Sequence, residues 1–245
     1  MNDSMISLVT GANKGIGQQI AGQLAALGHT VVVAARSADA GERAAAELRA
    51  EGGDAVAVVL DVTDPASVSA AADSVKRRFG RLDALINNAG IAATPGVSFA
   101  AQQPGSADVN EIRSVFETNF FGVISVTAAF LPLLRLSDAP RIVNVSSVAG
   151  SLAAVSDPAN MDPIAAGYAP SKTALTSLTL QYAKGLAPEG ILVNAVCPGF
   201  VATDLNGFRG TRTPEQGARA AVRMATIPAN GPSGTFSDED GPLPW

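Results

Sequence analysis

Tyr168 stands four residues before Lys172 in Gly167-Tyr168-Ala169-Pro170-Ser171-Lys172, and the run Thr173 to Leu180 that follows has helix-like apolar spacing. Positions i and i+4 share one helix face, so the phenol and the ammonium can point into one site. Pro170 has no amide hydrogen and is accepted only where a helix has no use for one, which puts it in the first turn with Gly167 near the cap. Tyr168 then stands at a helix mouth. A free phenol titrates near ~10, and an adjacent cation favours phenolate, which brings the group towards the range where it can give and take protons. The pair is equipped for general acid chemistry; the alternative at the level of these residues is a half-exposed packing pair.

Such a pair needs a scaffold. Met5 to Thr10 read as a buried strand, followed by glycines at 11, 15 and 17 and by an apolar-periodic helix from Ile16 to Leu27. Strand, glycine turn and helix is the setting in which backbone approaches a pyrophosphate closely and a helix N-terminus favours its charge. Further strands are expected at Thr30–Ala35, Asp54–Leu60, Leu82–Ile86, Arg141–Val145 and Ile191–Val196, with a short last one at Ser233–Ser237. Asp64-Pro65 opens a helix with a good cap and a first-turn proline; Asn110–Leu134 and Thr213–Ala225 are also helical. Residues 92–107, rich in Ala, Pro, Gly and Gln, read as a surface loop.

Four motifs occur in one order: Thr10-Gly11-Ala12-Asn13-Lys14-Gly15-Ile16-Gly17, Asn87-Asn88-Ala89-Gly90, Asn144-Val145-Ser146-Ser147 and Tyr168-x-x-x-Lys172. Together they resemble the short-chain dehydrogenase/reductase family, and the likeness covers almost the whole chain. The resemblance implies an α/β Rossmann fold, a doubly wound parallel sheet of about seven strands flanked by helices. It implies that Tyr168 is the general acid and Lys172 its ribose-binding partner. Ser147 would steady the substrate oxygen, with Ser146 the fallback, and the Asn119 carbonyl would hold a relay water. A core asparagine satisfied by a neighbour is the alternative for Asn119.

Cofactor contacts are implied at Gly11, Asn13, Lys14, Gly15, Ile16 and Gly17, at Asp61 and Val62 around the adenine, and at Asn88, Ala89 and Gly90. Pro198, Gly199, Val201 and Thr203 would fix the nicotinamide, alongside Tyr168 and Lys172. The second strand ends in Arg36-Ser37, where an NAD-binding unit usually carries an acid for the ribose 2′-hydroxyl. With Lys14, Arg36 marks NADPH/NADP in this family, and two solvated surface cations are the alternative. The 20 residues from Val148 to Gly167 exceed the dozen or so of common members and are expected to roof the substrate pocket. The Trp-terminated tail and the Asn-Lys-Gly turn are most similar to NADPH-dependent carbonyl reductases.

At 245 residues and 47% hydrophobic content, the chain fits one α/β domain, residues 1–245. Seventeen basic against 22 acidic residues, without a basic run, argue against nucleic acid or an anionic membrane as partner. No stretch reads as a leader or as the ~20 apolar residues of a membrane span, so a cytoplasmic protein is expected. Lone Cys197 excludes an internal disulfide and reads as a buried thiol, with a reactive one the alternative; His29 has no second ligand nearby, so no metal is expected. The reading is NADPH-dependent reduction of a ketone, aldehyde or quinone. Alternatives are alcohol oxidation, a sugar-nucleotide epimerase and a non-catalytic NADPH-sensing regulator, the last two disfavoured by the short C-terminal part and the full motif set. A monomer is favoured over a homodimer because the 148–167 segment precedes the helix expected to pair.

Overall fold

The computed structural model describes residues 4–159 and 164–245. Asn160 to Pro163, part of the segment expected to roof the substrate pocket, lie outside them. Seven strands form one parallel sheet in the order β3-β2-β1-β4-β5-β6-β7. They are β1 (Ile6–Thr10), β2 (Thr30–Ala35), β3 (Asp54–Val59), β4 (Ala84–Asn87), β5 (Arg141–Val145), β6 (Leu192–Val196) and β7 (Phe236–Ser237). The inner strands read as continuous apolar runs because both faces are covered by helices. One face packs Ile20, Leu24, Leu48 and Met224; the other packs Val75, Phe130, Leu133 and Leu134.

Among the described residues seven longer helices lie between the strands: α1 (Gly15–Ala26), α2 (Ala38–Ala50), α3 (Pro65–Phe79), α4 (Val109–Phe116), α5 (Gly122–Leu134) and, after the four-residue α6 (Leu152–Val155), α7 (Tyr168–Leu186) and α8 (Pro214–Ala225), the last before β7. The expected starts carry the expected caps. The Asp64 carboxylate accepts from Ala66 N at 2.9 Å with Pro65 in the first turn, and Pro170 lies in the first turn of α7. The single helix read over 110–134 is α4 and α5 joined by a π-helical turn, Glu117–Phe121. The run Val109–Leu134 is long and apolar enough by length and composition to cross a membrane, contrary to the sequence reading. Val115, Val126, Phe130, Leu133 and Leu134 are instead buried within the fold.

Strand order reverses between β1 and β4, so the carboxyl ends of those strands frame the crevice where open α/β sheets bind ligands. The opposite edge is closed structurally: the buried Asp83 carboxylate accepts from Ile6 N at 2.7 Å, Ser137 Oγ at 2.6 Å and Arg81 Nε at 3.2 Å. Inside the sheet a polar ladder crosses the core. Asn87 Nδ2 donates to Thr127 Oγ1 (3.3 Å) and Asn144 Oδ1 (2.9 Å), Asn144 Nδ2 donates to Thr179 Oγ1 (2.9 Å), and Thr179 Oγ1 donates to Leu175 O (2.9 Å). The ladder ties β4 and β5 to α5 and α7, and buried amides are tolerated only because each finds a partner. Asn144→Ala orphans groups on both sides and should cost on the order of 2–4 kcal/mol of unfolding free energy, read from urea denaturation.

Candidate active site

The glycine turn is built for close approach. Gly11 and Gly15 have φ of +64° and +57°, and a Cβ on Gly17 would lie 2.4 Å from Gly11 O and 2.5 Å from Asn88 Nδ2. Thr10 organises the facing loop, which the sequence reading did not single out. Its hydroxyl accepts from Asn88 N and Ala89 N, both at 3.0 Å, while Asn88 Nδ2 donates to Thr10 O at 2.8 Å. Asn13 and Ile16 are half-buried in the turn, and Ile16 also packs against the core beside Gly217.

Gly90 sits where a side chain would be tight: a Cβ there would lie 3.2 Å from Asn119 Oδ1 and 3.4 Å from Lys172 Nζ. Asn119 is fully buried in the π turn, a helix irregularity that recurs at functional sites. Its side chain accepts from Ile91 N (2.9 Å) and donates to Ile91 O (2.9 Å) and Ser171 Oγ (3.0 Å). Ser171 Oγ in turn donates to Tyr168 O at 2.7 Å. The amide thus clamps the loop after β4 onto α7, and Ser171 is a second residue the sequence reading passed over.

Ser146 and Ser147 leave β5 in different directions. Ser146 is buried and donates to Lys172 O at 3.3 Å; Ser147 is half-exposed and begins the turn Val148–Gly150. That turn rests directly on α7, since a Cβ on Gly150 would lie 2.7 Å from the Lys172 carbonyl carbon. Cys197 is buried at the end of β6, where its sulfur accepts from Val148 N at 3.2 Å and Gly199 N at 3.4 Å, and burial pushes its thiol pKa up. A protonated thiol used as an acceptor is the inert cysteine of the two readings.

Lys172 is buried, with Nζ donating to Val145 O at 2.8 Å and 5.8 Å from the centroid of the Tyr168 ring. Burial lowers its pKa to about 8. The phenol moves opposite to expectation: burial pushes Tyr168 up to about 12, and a hydrogen bond from Ser147 only partly opposes this. Desolvation of the phenol is the largest cause. The phenol is consequently protonated throughout the neutral range.

Arg36 is exposed beyond β2 and forms no ion pair among the described residues. Lys14 Nζ instead pairs with Asp204, across the glycine turn. Asp61 follows β3 and accepts from Thr63 N and Oγ1 at 2.9 and 2.7 Å, and Val62 packs on Gly122 of α5. Pro198 and Gly199 (φ +78°) turn the chain out of β6; Val201 and Thr203 are buried, with the Thr203 methyl 3.5 Å from where a Gly15 Cβ would stand. The following loop exposes Phe200, Leu205 and Phe208. The tail folds back so that Trp245 O accepts from Ala153 N at 2.9 Å and its ring lies 5.8 Å from that of Phe236. Among the described residues no cluster of His, Cys, Asp and Glu is placed to hold a metal.

A dinucleotide crevice lined by a phenol, a hydroxyl and a buried ammonium defines a nicotinamide-dependent oxidoreductase. Residues 5–213 match the family model described as short chain dehydrogenase. The chain is 35% identical to salutaridine reductase of Papaver bracteatum, covering 95% of this chain and 93% of that one. It is 32% identical to human "Carbonyl reductase [NADPH] 1", covering 98% of each. The solved Pseudomonas aeruginosa RhlG/NADP active-site complex superposes with a TM-score of 0.83 at 32% identity, covering 98% of this chain and 96% of that one. The chain belongs to the short-chain dehydrogenase/reductase family, close to the carbonyl reductases, and it is an enzyme of carbonyl/alcohol redox chemistry.

The buried ammonium carries a stability signature. A lysine whose folded pKa is depressed from 10.5 to about 8 is penalised while charged, so the unfolded state holds more protons between those values and stability rises with pH there. The stability of wild type relative to Lys172→Met should therefore improve by about 3 kcal/mol between pH 8 and 10.5, measured by chemical denaturation. A flat difference would mean that the ammonium is solvated.

Proposed function

We propose that the protein reduces a ketone, aldehyde or quinone carbonyl with NADPH, and that Tyr168 is the general acid. The observation that carries this is the protonated, half-buried Tyr168 phenol beside the Ser147 hydroxyl, at the end of a crevice whose glycine positions leave room for a dinucleotide. When bound, NADPH supplies the hydride. Ser147 orients the substrate oxygen and Tyr168 donates its phenolic proton to that oxygen as the carbonyl carbon is reduced, leaving a phenolate. Lys172, protonated at neutral pH with a pKa of about 8, stabilises that phenolate and contacts the ribose. Asn119 would place a water through which the phenolate recovers its proton.

Gly11, Asn13, Gly15, Ile16 and Gly17 would hold the pyrophosphate side, Asp61 and Val62 the adenine, and Asn88 to Gly90 the ribose. Pro198, Gly199, Val201 and Thr203 would hold the nicotinamide. Arg36 and Lys14 would take the 2′-phosphate. The Lys14–Asp204 pair is exposed, and such pairs contribute only ~0–1 kcal/mol, so a phosphate can displace the carboxylate. The likeness to human "Carbonyl reductase [NADPH] 1" and to the RhlG/NADP complex supports the same cofactor.

Tyr168→Phe should leave less than about a tenth of wild-type kcat while NADPH affinity, read by fluorescence titration, stays nearly intact. Higher residual turnover would remove Tyr168 from the acid role. Arg36→Asp deletes a phosphate partner and installs an acid for the 2′-hydroxyl. It should weaken NADPH by roughly ten- to a hundredfold and improve NADH. An unchanged preference would shift the phosphate site to Lys14.

A further inference from the structure

Gln102 lies in the 92–107 segment, whose composition is that of a surface loop, yet it is fully buried. Its Nε2 donates to Ala92 O at 2.7 Å, and its Oε1 accepts from both Gly167 N and Tyr168 N at 3.0 Å. Its main-chain carbonyl accepts from Ala166 N at 3.0 Å. One residue therefore takes the amides of 166, 167 and 168.

A helix leaves its first N–H groups without intrahelical partners, and buried ones must be satisfied elsewhere. Gly167, the N-cap of α7, has no side chain with which to do so. The accounting at this end is complete only with Gln102. Tyr168 N goes to Gln102 Oε1, Ala169 N goes to Ala165 O at 3.1 Å, Pro170 has no N–H, and Ser171 N returns to Gly167 O at 3.1 Å. The fit is close, since a Cβ on Gly167 would lie 2.9 Å from Gln102 Oε1.

Tyr168 is thus held at both polar groups of its own backbone. Its N–H is taken by Gln102, and its C=O accepts from Ser171 Oγ, which Asn119 engages in turn. The two arms meet again in the chain, because Gln102 grips Ala92 and Asn119 grips Ile91. We propose that Gln102 is a positioning residue for the Tyr168 phenol: by fixing where α7 begins, it fixes where the hydroxyl points. This rests on the assignment of Tyr168 as proton donor.

The experiment compares Gln102→Leu, which fills similar volume without polar atoms, with Gln102→Glu, which keeps an acceptor for the two amides. Four quantities are read for each: kcat per folded enzyme for an NADPH-dependent ketone reduction, NADPH Kd, hydrogen exchange at the Gly167 and Tyr168 amides, and the thermal midpoint. Gln102→Leu should lower kcat by about tenfold or more, because small misplacements of a reacting group are costly, and should speed exchange at both amides with NADPH Kd within about twofold. Gln102→Glu should recover most of the lost kcat and of the exchange protection. Wild-type kcat in folded Gln102→Leu, or a lower midpoint with unchanged kcat, overturns the proposal. If Gln102→Leu does not fold, Gln102→Asn decides: its amide is one methylene too short to reach the helix start, and unchanged kcat there overturns the proposal equally. Tyr168→Phe is run in parallel. An active Tyr168→Phe removes the assignment of the acid, whereas an inactive Tyr168→Phe beside fully active Gln102 variants removes only the role of Gln102.

Discussion

Buried main-chain polar groups at the carboxyl edge of the sheet must be paired, and the site is largely the set of side chains that pair them. Strand ladders and helices end there, leaving amides and carbonyls without regular partners. Thr10 accepts from the amides after β4, Asn119 takes both polar groups of Ile91, and Gln102 takes the amides at the start of α7. Each of these bonds also joins two elements that are far apart in the chain. Satisfying the backbone and assembling the crevice are consequently the same physical act.

The second constraint is electrostatic. Removing Lys172 from water lowers its pKa to about 8, and the same burial raises Tyr168 to about 12. Holding an ammonium there costs stability, partly offset by its bond to Val145 O. A fold selected for stability alone gains little from that lysine, and the proposed proton transfer would give it a use. Cys197 shows the contrast: it is buried nearby with a raised pKa, but its sulfur accepts two backbone amides and behaves as part of the scaffold.

Other interactions shape access rather than the centre. The Lys14–Asp204 pair links the glycine turn to the loop after Thr203, joining the two walls of the crevice by a solvent-exposed contact. Glu239 gathers Arg212 and Arg219, which fastens the tail to α8 and brings Trp245 back against α6. The wall that begins at Ser147 is therefore supported by Cys197 at Val148 and by Trp245 at Ala153.

The sequence by itself determined the strand–turn–helix beginning, the positions of the strands, the place of Pro170 in a first turn and the family to which the chain belongs. These are local matters: a proline lacks a donor wherever it stands, apolar runs of strand length bury themselves, and glycines permit φ values that other residues resist. Tertiary structure decided what depends on contacts between distant segments. Gln102 sits in a polar loop and carries no local mark of burial; only the arrival of α7, 65 residues later, gives its amide partners. Ser146 and Ser147 are adjacent and chemically identical, and the packing of their turn on α7 is what turns one inward and leaves the other half-exposed. The direction of the Tyr168 shift likewise depended on how much water the folded chain excludes, a property of the assembled site that no spacing of Tyr and Lys contains.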